Sequence, residues 1–189
     1  MTDWNSALDM KFESERTRAA RDLVAQILAF IPGSIVDLGG GPGNGTVLLA
    51  AACPSATIVG LDLSDNMLAV ARTRVAIAQF VKQDIESWRL VEKADLIFAN
   101  AALHFVPNHH EFMVRLVSFL HEGGRLAVQM PNNIQELSHA LMRMVAADGP
   151  WAKRLVPIAK TRPMIGALDL YYQLVPLPIM ILASLELWI

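Results

Sequence analysis

The 189-residue chain is organised around the stretch Asp37-Leu38-Gly39-Gly40-Gly41-Pro42-Gly43-Asn44-Gly45, which holds five glycines in its last seven positions. It follows the short apolar run Ser34–Leu38, typical of a buried strand, and leads into a helical pattern at 46–53. Because glycine lacks a Cβ, backbone amides here can approach a ligand closely and adopt positive φ without strain. The N-terminus of the next helix favours a negatively charged ligand group at the same place. The stretch predicts a ligand-binding turn, with a merely flexible turn as the alternative.

Strands and helices alternate on both sides of this turn. Apolar runs predict strands at 34–38, 57–61, 79–82, 94–99 and 125–130, and helical periodicity predicts helices at 14–30, 46–53, 66–76, 110–121 and 133–147. Alternation at this spacing is typical of a parallel sheet with helices on both faces. We therefore expect a doubly wound, mostly parallel α/β fold, with a core domain at 1–150.

The composition narrows the class of protein. Hydrophobic residues make up 53% of the chain and charged residues 18%, which excludes intrinsic disorder. Sixteen basic residues against eighteen acidic ones leave no basic excess for a nucleic-acid or membrane partner. The single Cys53 excludes an internal disulfide framework, and the first residues lack the apolar core of a signal peptide. We expect a cytoplasmic globular protein.

The ligand of a doubly wound sheet binds at the carboxyl ends of its strands. The candidate positions are therefore Asp37 to Gly45, Asp62 to Met67, Asp84 with Ile85, and Asn100 to Phe105. The glycines do not form a dinucleotide fingerprint, and the turn has no lysine for a phosphate loop. Their spacing fits Asp-x-Gly-x-Gly-x-Gly, starting at Asp37.

That spacing, with an acid ending the next strand, resembles the nucleoside-binding motif of class I S-adenosylmethionine (SAM) dependent methyltransferases. The resemblance implies SAM as cofactor, with the glycines under its methionine moiety and Asp62 on both ribose hydroxyls. The cofactor-binding residues it implies are Asp37, Gly39, Gly40, Gly41, Gly43, Asp62, Leu63, Met67, Asp84, Ile85, Asn100 and Ala101. Leu63 and Met67 would contact the adenine. An N-cap role for Asp62 and a solvated loop position for Asp84 are the alternatives.

Five stretches also resemble a narrower family, the trans-aconitate methyltransferases: Asp3-Trp4-Asn5, Glu15 to Arg18, Val36 to Thr46, Asn100 to Pro107, and Arg125 to Arg143. This resemblance implies methyl transfer to a carboxylate of trans-aconitate or a similar small polycarboxylic acid, giving a monomethyl ester. A carboxylate is already ionised at neutral pH, so no general base is needed. The chain departs from the family pattern at Gly40, where cysteine is usual, and at His104, where glutamine is expected.

Substrate carboxylates favour cationic donors, and arginine suits them best. Arg16 and Arg18 are the candidates, with Trp4 as a wall and His104 as the catalytic residue near the transferred methyl group. A solvated helix face, an N-terminal anchor and a satisfied loop histidine are the respective alternatives. No metal is expected, because the segment His109-His110-Glu111 lacks further ligands at zinc-like spacing.

Residues 151–189 are expected to form part of a substrate cap and a sixth strand of the same domain. The stretch Leu185 to Trp188 resembles that strand, and the family's last strand and helix would be missing. The sixth strand would then lack its neighbour, and a second copy of the chain could pair with the open edge. The alternative function is a truncated SAM-binding module with weak or no activity. An NAD-dependent oxidoreductase is disfavoured by the glycine spacing.

Overall fold

The computed structural model describes residues 10–11, 13–27, 29–160, 165, 168–174 and 180–185. Its strands are β1 (Ser34–Leu38), β2 (Thr57–Asp62), β3 (Gln79–Lys82), β4 (Ala94–Asn100), β5 (Leu120–Pro131) and β6 (Met180–Leu185). They form one sheet in the order β3-β2-β1-β4-β5-β6, and every neighbouring pair is parallel. The parallel α/β prediction is confirmed.

Helices cover both faces of this sheet. They are α1 (Glu13–Ile27), α2 (Asn44–Ala52), α3 (Asp65–Arg74), α4 (His109–Ser118), α5 (Leu137–Ala147), α6 (Ala152–Lys160) and α7 (Leu168–Leu174). On one face, Ala20 and Leu23 of α1 pack with Phe98 and Ala127 of the sheet. On the other face, α4 and α7 pack against the alternate residues of β4 and β5. Burial on both sides explains why the strand sequences are apolar without alternation.

Asp95 joins β1 to β4 at the amino ends of the strands. Its Oδ2 accepts hydrogen bonds from the backbone of Gly33 and Ser34 at 2.8 and 3.0 Å, and from the Ser34 hydroxyl at 3.2 Å. Burial raises the pKa of Asp95, but these hydrogen bonds outweigh burial and lower it below its ordinary value. The carboxylate therefore fixes the two central strands in register.

Two predicted boundaries are wrong around the fifth strand. The helix predicted to reach His121 ends at Ser118, and the strand predicted from Arg125 begins at Leu120. The reason is a register shift, because Ala94 pairs with Leu120 whereas Leu96 pairs with Arg125. The extra residues of the bulge include Gly123, whose φ of +77° is accessible to glycine. The helix predicted from Asn133 also begins later, at Leu137.

The sixth strand differs from its predicted position. It spans Met180–Leu185, whereas 186–188 lie outside the described residues. It pairs directly with β5, with Leu126 opposite Met180 and Pro131 opposite Leu185. The expectation that this strand would lack a neighbour is therefore wrong, because its backbone groups hydrogen-bond to β5. Within the described part of the chain, no helix is both long and apolar enough to cross a membrane.

Candidate functional site

The glycine loop after β1 folds onto the carboxyl end of β2. The backbone N–H of Gly40 donates to the carbonyl of Leu61 at 3.0 Å, and that of Gly41 donates to Asp62 Oδ2 at the same distance. Gly43 closes the turn by donating to the carbonyl of Gly40 at 2.9 Å. The structure thus brings together the glycine loop and the acid of the second strand, as the sequence predicts.

Glycine is required in this loop for two different reasons. Gly39, Gly41 and Gly43 have φ values of +68°, +54° and +88°, which L side chains rarely adopt. A Cβ on Gly39 would lie 2.6 Å from Ala102 Cβ, so packing alone excludes a side chain there. A Cβ on Gly41 would meet no atom of the described residues within 4 Å, so it would project into space that these residues leave open. The backbone at Gly41 therefore borders a space that a ligand can fill.

Asp62 is half-buried at the carboxyl end of β2, and its carboxylate binds the backbone of the glycine loop and of Ser64. Its Oδ1 accepts from the backbone of Ser64 at 2.8 Å, and its Oδ2 accepts from Gly41. A carboxylate offers about four lone-pair sites in all, so two hydrogen bonds do not fill it. The N-cap of α3 is Ser64, whose Oγ accepts from the backbone of Met67 at 3.2 Å. Asp62 is therefore not the helix cap.

The apolar residues beside Asp62 differ in accessibility. Leu63 is 54% exposed, so its side chain can contact a ligand. Met67 is 4% exposed and packs into the interior. Beyond β3, Asp84 Oδ1 accepts from the backbone of Glu86 at 2.9 Å, and Ile85 is half-buried against the core. The carboxyl end of β3 lies beside Asp62, because Gln83 N donates to the Asp62 carbonyl at 3.0 Å.

Asp37 lies under the glycine loop and is almost completely buried. Burial raises its pKa to about 6, with a smaller contribution from the charge of Asp62, although a hydrogen bond from Thr46 opposes the shift. The Thr46 hydroxyl donates to Asp37 Oδ2 at 2.6 Å, and a Cβ on Gly40 would lie 3.2 Å from the same oxygen. Asp37 therefore supports the loop from below, and Thr46 is a supporting residue that the sequence analysis missed.

The turn after β4 forms the opposite wall of the loop. Ala101 has a φ of +53°, and its N–H donates to the carbonyl of Gln129 on β5 at 2.9 Å. This bend places Ala102 against Gly39, as the close approach of the two residues shows. Asn100 and Ala101 consequently lie next to the glycine loop. Positive φ at a residue other than glycine is strained and is common at functional sites.

The predicted catalytic and substrate residues are less clearly grouped. His104 lies in a short 3-10 helix, Leu103–Phe105, with 4% of its surface exposed and its ring 4.0 Å from that of Phe105. Arg18 is exposed on α1, and only the backbone of Arg16 is described. Trp4 lies outside the described residues. His110 stacks on Tyr171, and the described residues contain no group of three or more metal-ligating side chains placed to hold an ion.

Gln129 is a further residue that the sequence analysis missed. It lies on β5 beside Asn100 of β4, is 1% exposed, and carries an amide in the segment 126–130, which is buried on both faces of the sheet. The signal was present in the sequence, because a glutamine interrupts the apolar run 125–130. A polar side chain in a doubly covered strand is unusual enough to be a site candidate.

Comparison with known proteins agrees with this geometry. A family model described as "Methyltransferase domain" matches residues 33–162. The chain is 43% identical over its full length to a trans-aconitate 2-methyltransferase of Rhodopseudomonas palustris (strain BisB5), covering 72% of that protein. It is 47% identical over 175 residues, 92% of its length, to a trans-aconitate 2-methyltransferase of Variovorax paradoxus (strain S110), covering 68% of that protein.

Solved structures show the same fold at low sequence identity. One is the plantazolicin methyltransferase BpumL in complex with S-adenosylhomocysteine (SAH) and a triazolic desmethylPZN analogue. It superposes with a TM-score of 0.62 at 18% sequence identity, and the match covers 89% of this chain and 66% of that one. A SAM-dependent methyltransferase from Clostridium acetobutylicum gives a TM-score of 0.50 at 21% identity, over 58% and 48% of the two chains. The parallel sheet, the glycine loop and these relatives agree: the chain carries a methyltransferase domain and belongs to the family of the trans-aconitate 2-methyltransferases.

Proposed function

We propose that this enzyme transfers the methyl group of SAM to a carboxylate of trans-aconitate, or of a similar small polycarboxylic acid, and releases a monomethyl ester. The cofactor half rests on one observation, the open space at Gly41 beside the half-buried Asp62. The acceptor half rests on the relatives named trans-aconitate 2-methyltransferase, at 43% and 47% identity.

The residues at the strand ends fit SAM. The carboxylate of Asp62 suits two ribose hydroxyls, the exposed Leu63 suits an aromatic base, and a side chain at Gly41 would fill the space instead of a ligand. When bound, SAM supplies an electrophilic methyl group on a sulfonium. The Asn100–Ala102 turn would border the methionine moiety of SAM, since Ala102 packs against Gly39.

The residues of the chain then have to align the acceptor, because an ionised carboxylate needs no base to activate it. Alignment of two bound reactants can lower a barrier by roughly 7–11 kcal/mol. Arg18, exposed on α1, is the described arginine that we propose for the acceptor's other carboxylates. Arg16 and Trp4 remain predictions for the same surface. We retain His104 as the candidate beside the reacting atoms, where its buried ring would shape the wall behind Asn100 and exclude water.

We also propose a cellular location and a mode of self-association for the chain. A cytoplasmic location would suit the single buried thiol of Cys53, which has no disulfide partner. A second copy of the chain could pair with β6, which forms the outer edge of the described sheet. Light scattering of the purified chain tests the second proposal, because a monomer at micromolar concentration would contradict it.

The function is tested by binding and turnover in sequence. Calorimetric titration with S-adenosylhomocysteine (SAH) should show micromolar or tighter binding, whereas NADH as control should show none. Methyl transfer from labelled SAM to trans-aconitate should then yield a labelled monomethyl ester, with acetate as the control acceptor. SAH binding without turnover on any polycarboxylate would favour the alternative of a binding module. Binding of NADH instead of SAH would contradict the cofactor assignment.

A further inference from the structure

Among the described residues, several buried polar atoms have no hydrogen-bond partner, and three of the residues that carry them lie on one face of the sheet or on the helix packed against it. They are the Thr17 hydroxyl, Asn100 Oδ1, and both polar atoms of the Gln129 amide. Buried polar side chains in folded proteins almost always have a partner, so each exception needs an explanation. Gln129 is the most telling of the three, because its side chain is 1% exposed and neither its donor nor its acceptor is used.

The strand register places two of these amides side by side. Asn100 and Gln129 are direct partners in the parallel pairing of β4 with β5, so their side chains leave the same face of the sheet. Phe98 and Ala127, two residues earlier in each strand, share that face and pack with the residues of α1. The amides therefore lie on the α1 face, at the carboxyl ends of their strands.

Thr17 of helix α1 lies toward the same place, the carboxyl ends of β4 and β5 on the α1 face. It lies three and seven residues before Ala20 and Val24, which belong to the buried stripe of α1. Helix α1 ends at Ile27, close in sequence to the amino end of β1, and packs along β4 and β5. Its first turns therefore lie toward the carboxyl ends of the strands, where Asn100 and Gln129 are found.

The place where Asn100, Gln129 and Thr17 meet adjoins the glycine loop. Ala101 and Ala102 follow Asn100 directly, and Ala102 packs against Gly39 of the glycine loop. The hydrogen bond from Ala101 N to the Gln129 carbonyl fixes the second amide to the same turn. A group held by the two amides would consequently lie next to the ligand of the glycine loop, on the side away from Asp62.

We infer that Gln129, with Asn100 and Thr17, binds a carboxylate of the methyl acceptor, an inference that rests on the proposed function. The Gln129 amide and the Thr17 hydroxyl can each donate to a carboxylate oxygen, and Asn100 can turn its amino group inward. Neutral donors orient a carboxylate without protonating it, so its oxygen stays a nucleophile. These residues would hold the reacting carboxylate, and arginine would bind the other carboxylates of the acceptor.

The test uses Gln129→Leu with Gln79→Leu as the matched control. Gln79 begins β3 and is exposed, so the same chemical change occurs in a strand outside the site. For Gln129→Leu we expect a melting temperature equal to or above that of the wild type, because an unpartnered buried amide is removed. We expect SAH affinity within twofold of the wild type, and trans-aconitate affinity in the presence of SAH at least tenfold weaker. Gln79→Leu should match the wild type in all three.

The outcomes separate this inference from the proposed function. A lower melting temperature for Gln129→Leu would show that the amide supports the fold, and a loss of SAH affinity would place it on the cofactor; either result overturns the inference. Unchanged trans-aconitate affinity overturns it as well, while the proposed function stands on wild-type turnover. If the wild type neither binds nor methylates any small polycarboxylate, the proposed function fails and this inference fails with it. Gln129→Glu provides a second variant, because its negative charge should weaken acceptor binding further than leucine does.

Discussion

Gly41 and Asp62 are joined by a hydrogen bond of 3.0 Å from the backbone of the first to Oδ2 of the second. The glycine loop after β1 and the acid at the end of β2 therefore form one unit. A change at either residue will alter both the shape of the loop and the direction of the carboxylate. Control substitutions at other acids and glycines of the chain separate these effects.

Asp62→Asn should weaken SAH binding by roughly tenfold to a hundredfold, because charge-assisted hydrogen bonds contribute about 1.5–3 kcal/mol. Isothermal titration calorimetry measures this change. Asp65→Asn is the control, since Asp65 is an exposed acid on the next helix that pairs with Lys82. Equal SAH affinities for Asp62→Asn and the wild type would remove Asp62 from the ribose site.

Gly41→Ala should fold but lose SAH binding by at least tenfold. Its φ of +54° costs alanine about 1 kcal/mol, and the new Cβ would project into the open space beside the loop. Gly123→Ala introduces the same type of strain at a φ of +77°, again with no atom of the described part of the chain within 4 Å, but in the β5 bulge, away from the loop. We expect similar losses of melting temperature for both variants, and normal SAH binding only for the second. Normal binding by Gly41→Ala would show that the space is not used.

Asp37→Asn should change the pH dependence of stability. The pKa of Asp37 is raised to about 6 in the folded chain, so the folded state holds this proton more tightly than the unfolded state does. Its contribution is complete below about pH 4 and is lost as the pH rises through 6. Relative to Asp37→Asn, the wild type should lose roughly 3 kcal/mol of unfolding free energy across that interval. Urea denaturation at several pH values measures this difference.

The control for that series is Asp148→Asn, an exposed acid just after α5. It makes the same substitution at an exposed position. A difference between the wild type and Asp37→Asn that stays constant with pH would contradict the raised pKa.

Ala101→Gly should raise the melting temperature. Ala101 adopts a φ of +53°, and glycine would relieve strain of about 1 kcal/mol. Asn108 has a similar φ of +52°, but asparagine tolerates this conformation, so Asn108→Gly should gain less. Thermal unfolding of the two variants provides the comparison. A loss of stability in Ala101→Gly would mean that the alanine methyl group packs more favourably than its strain costs.

The parts of the fold that could be predicted depend on local pattern. The apolar run Ser34–Leu38 and the glycines after it are a strand and a ligand-binding turn because their chemistry leaves few other conformations. Ser64 caps α3 as its sequence position indicates, since its hydroxyl binds a free backbone amide. The acid at the end of β2 follows from the same logic, because neighbouring parallel strands end at one edge.

The parts that could not be predicted depend on contacts between distant residues. The early start of β5 at Leu120 follows from its pairing with Ala94, which no local pattern of the helix end reveals. The burial of His104 and Met67 depends on elements packed from elsewhere in the chain. Gln129 was visible as a polar residue in an apolar run, but only the register shows that Asn100 lies beside it.

The hydrogen bonds between Asp95 and the Gly33–Ser34 backbone have a consequence for the order in which the chain folds. Gly41 and Asp62 are 21 residues apart in sequence, whereas Gly33 and Asp95 are 62 apart. Closing the longer loop costs about 1 kcal/mol more entropy. We therefore expect β1 to pair with β2 before β4 joins them. The part of the site made of Asp62 and the glycine loop then forms early. The turn that carries Asn100 and Ala102 joins it later, when β4 pairs with β1 in a slower step.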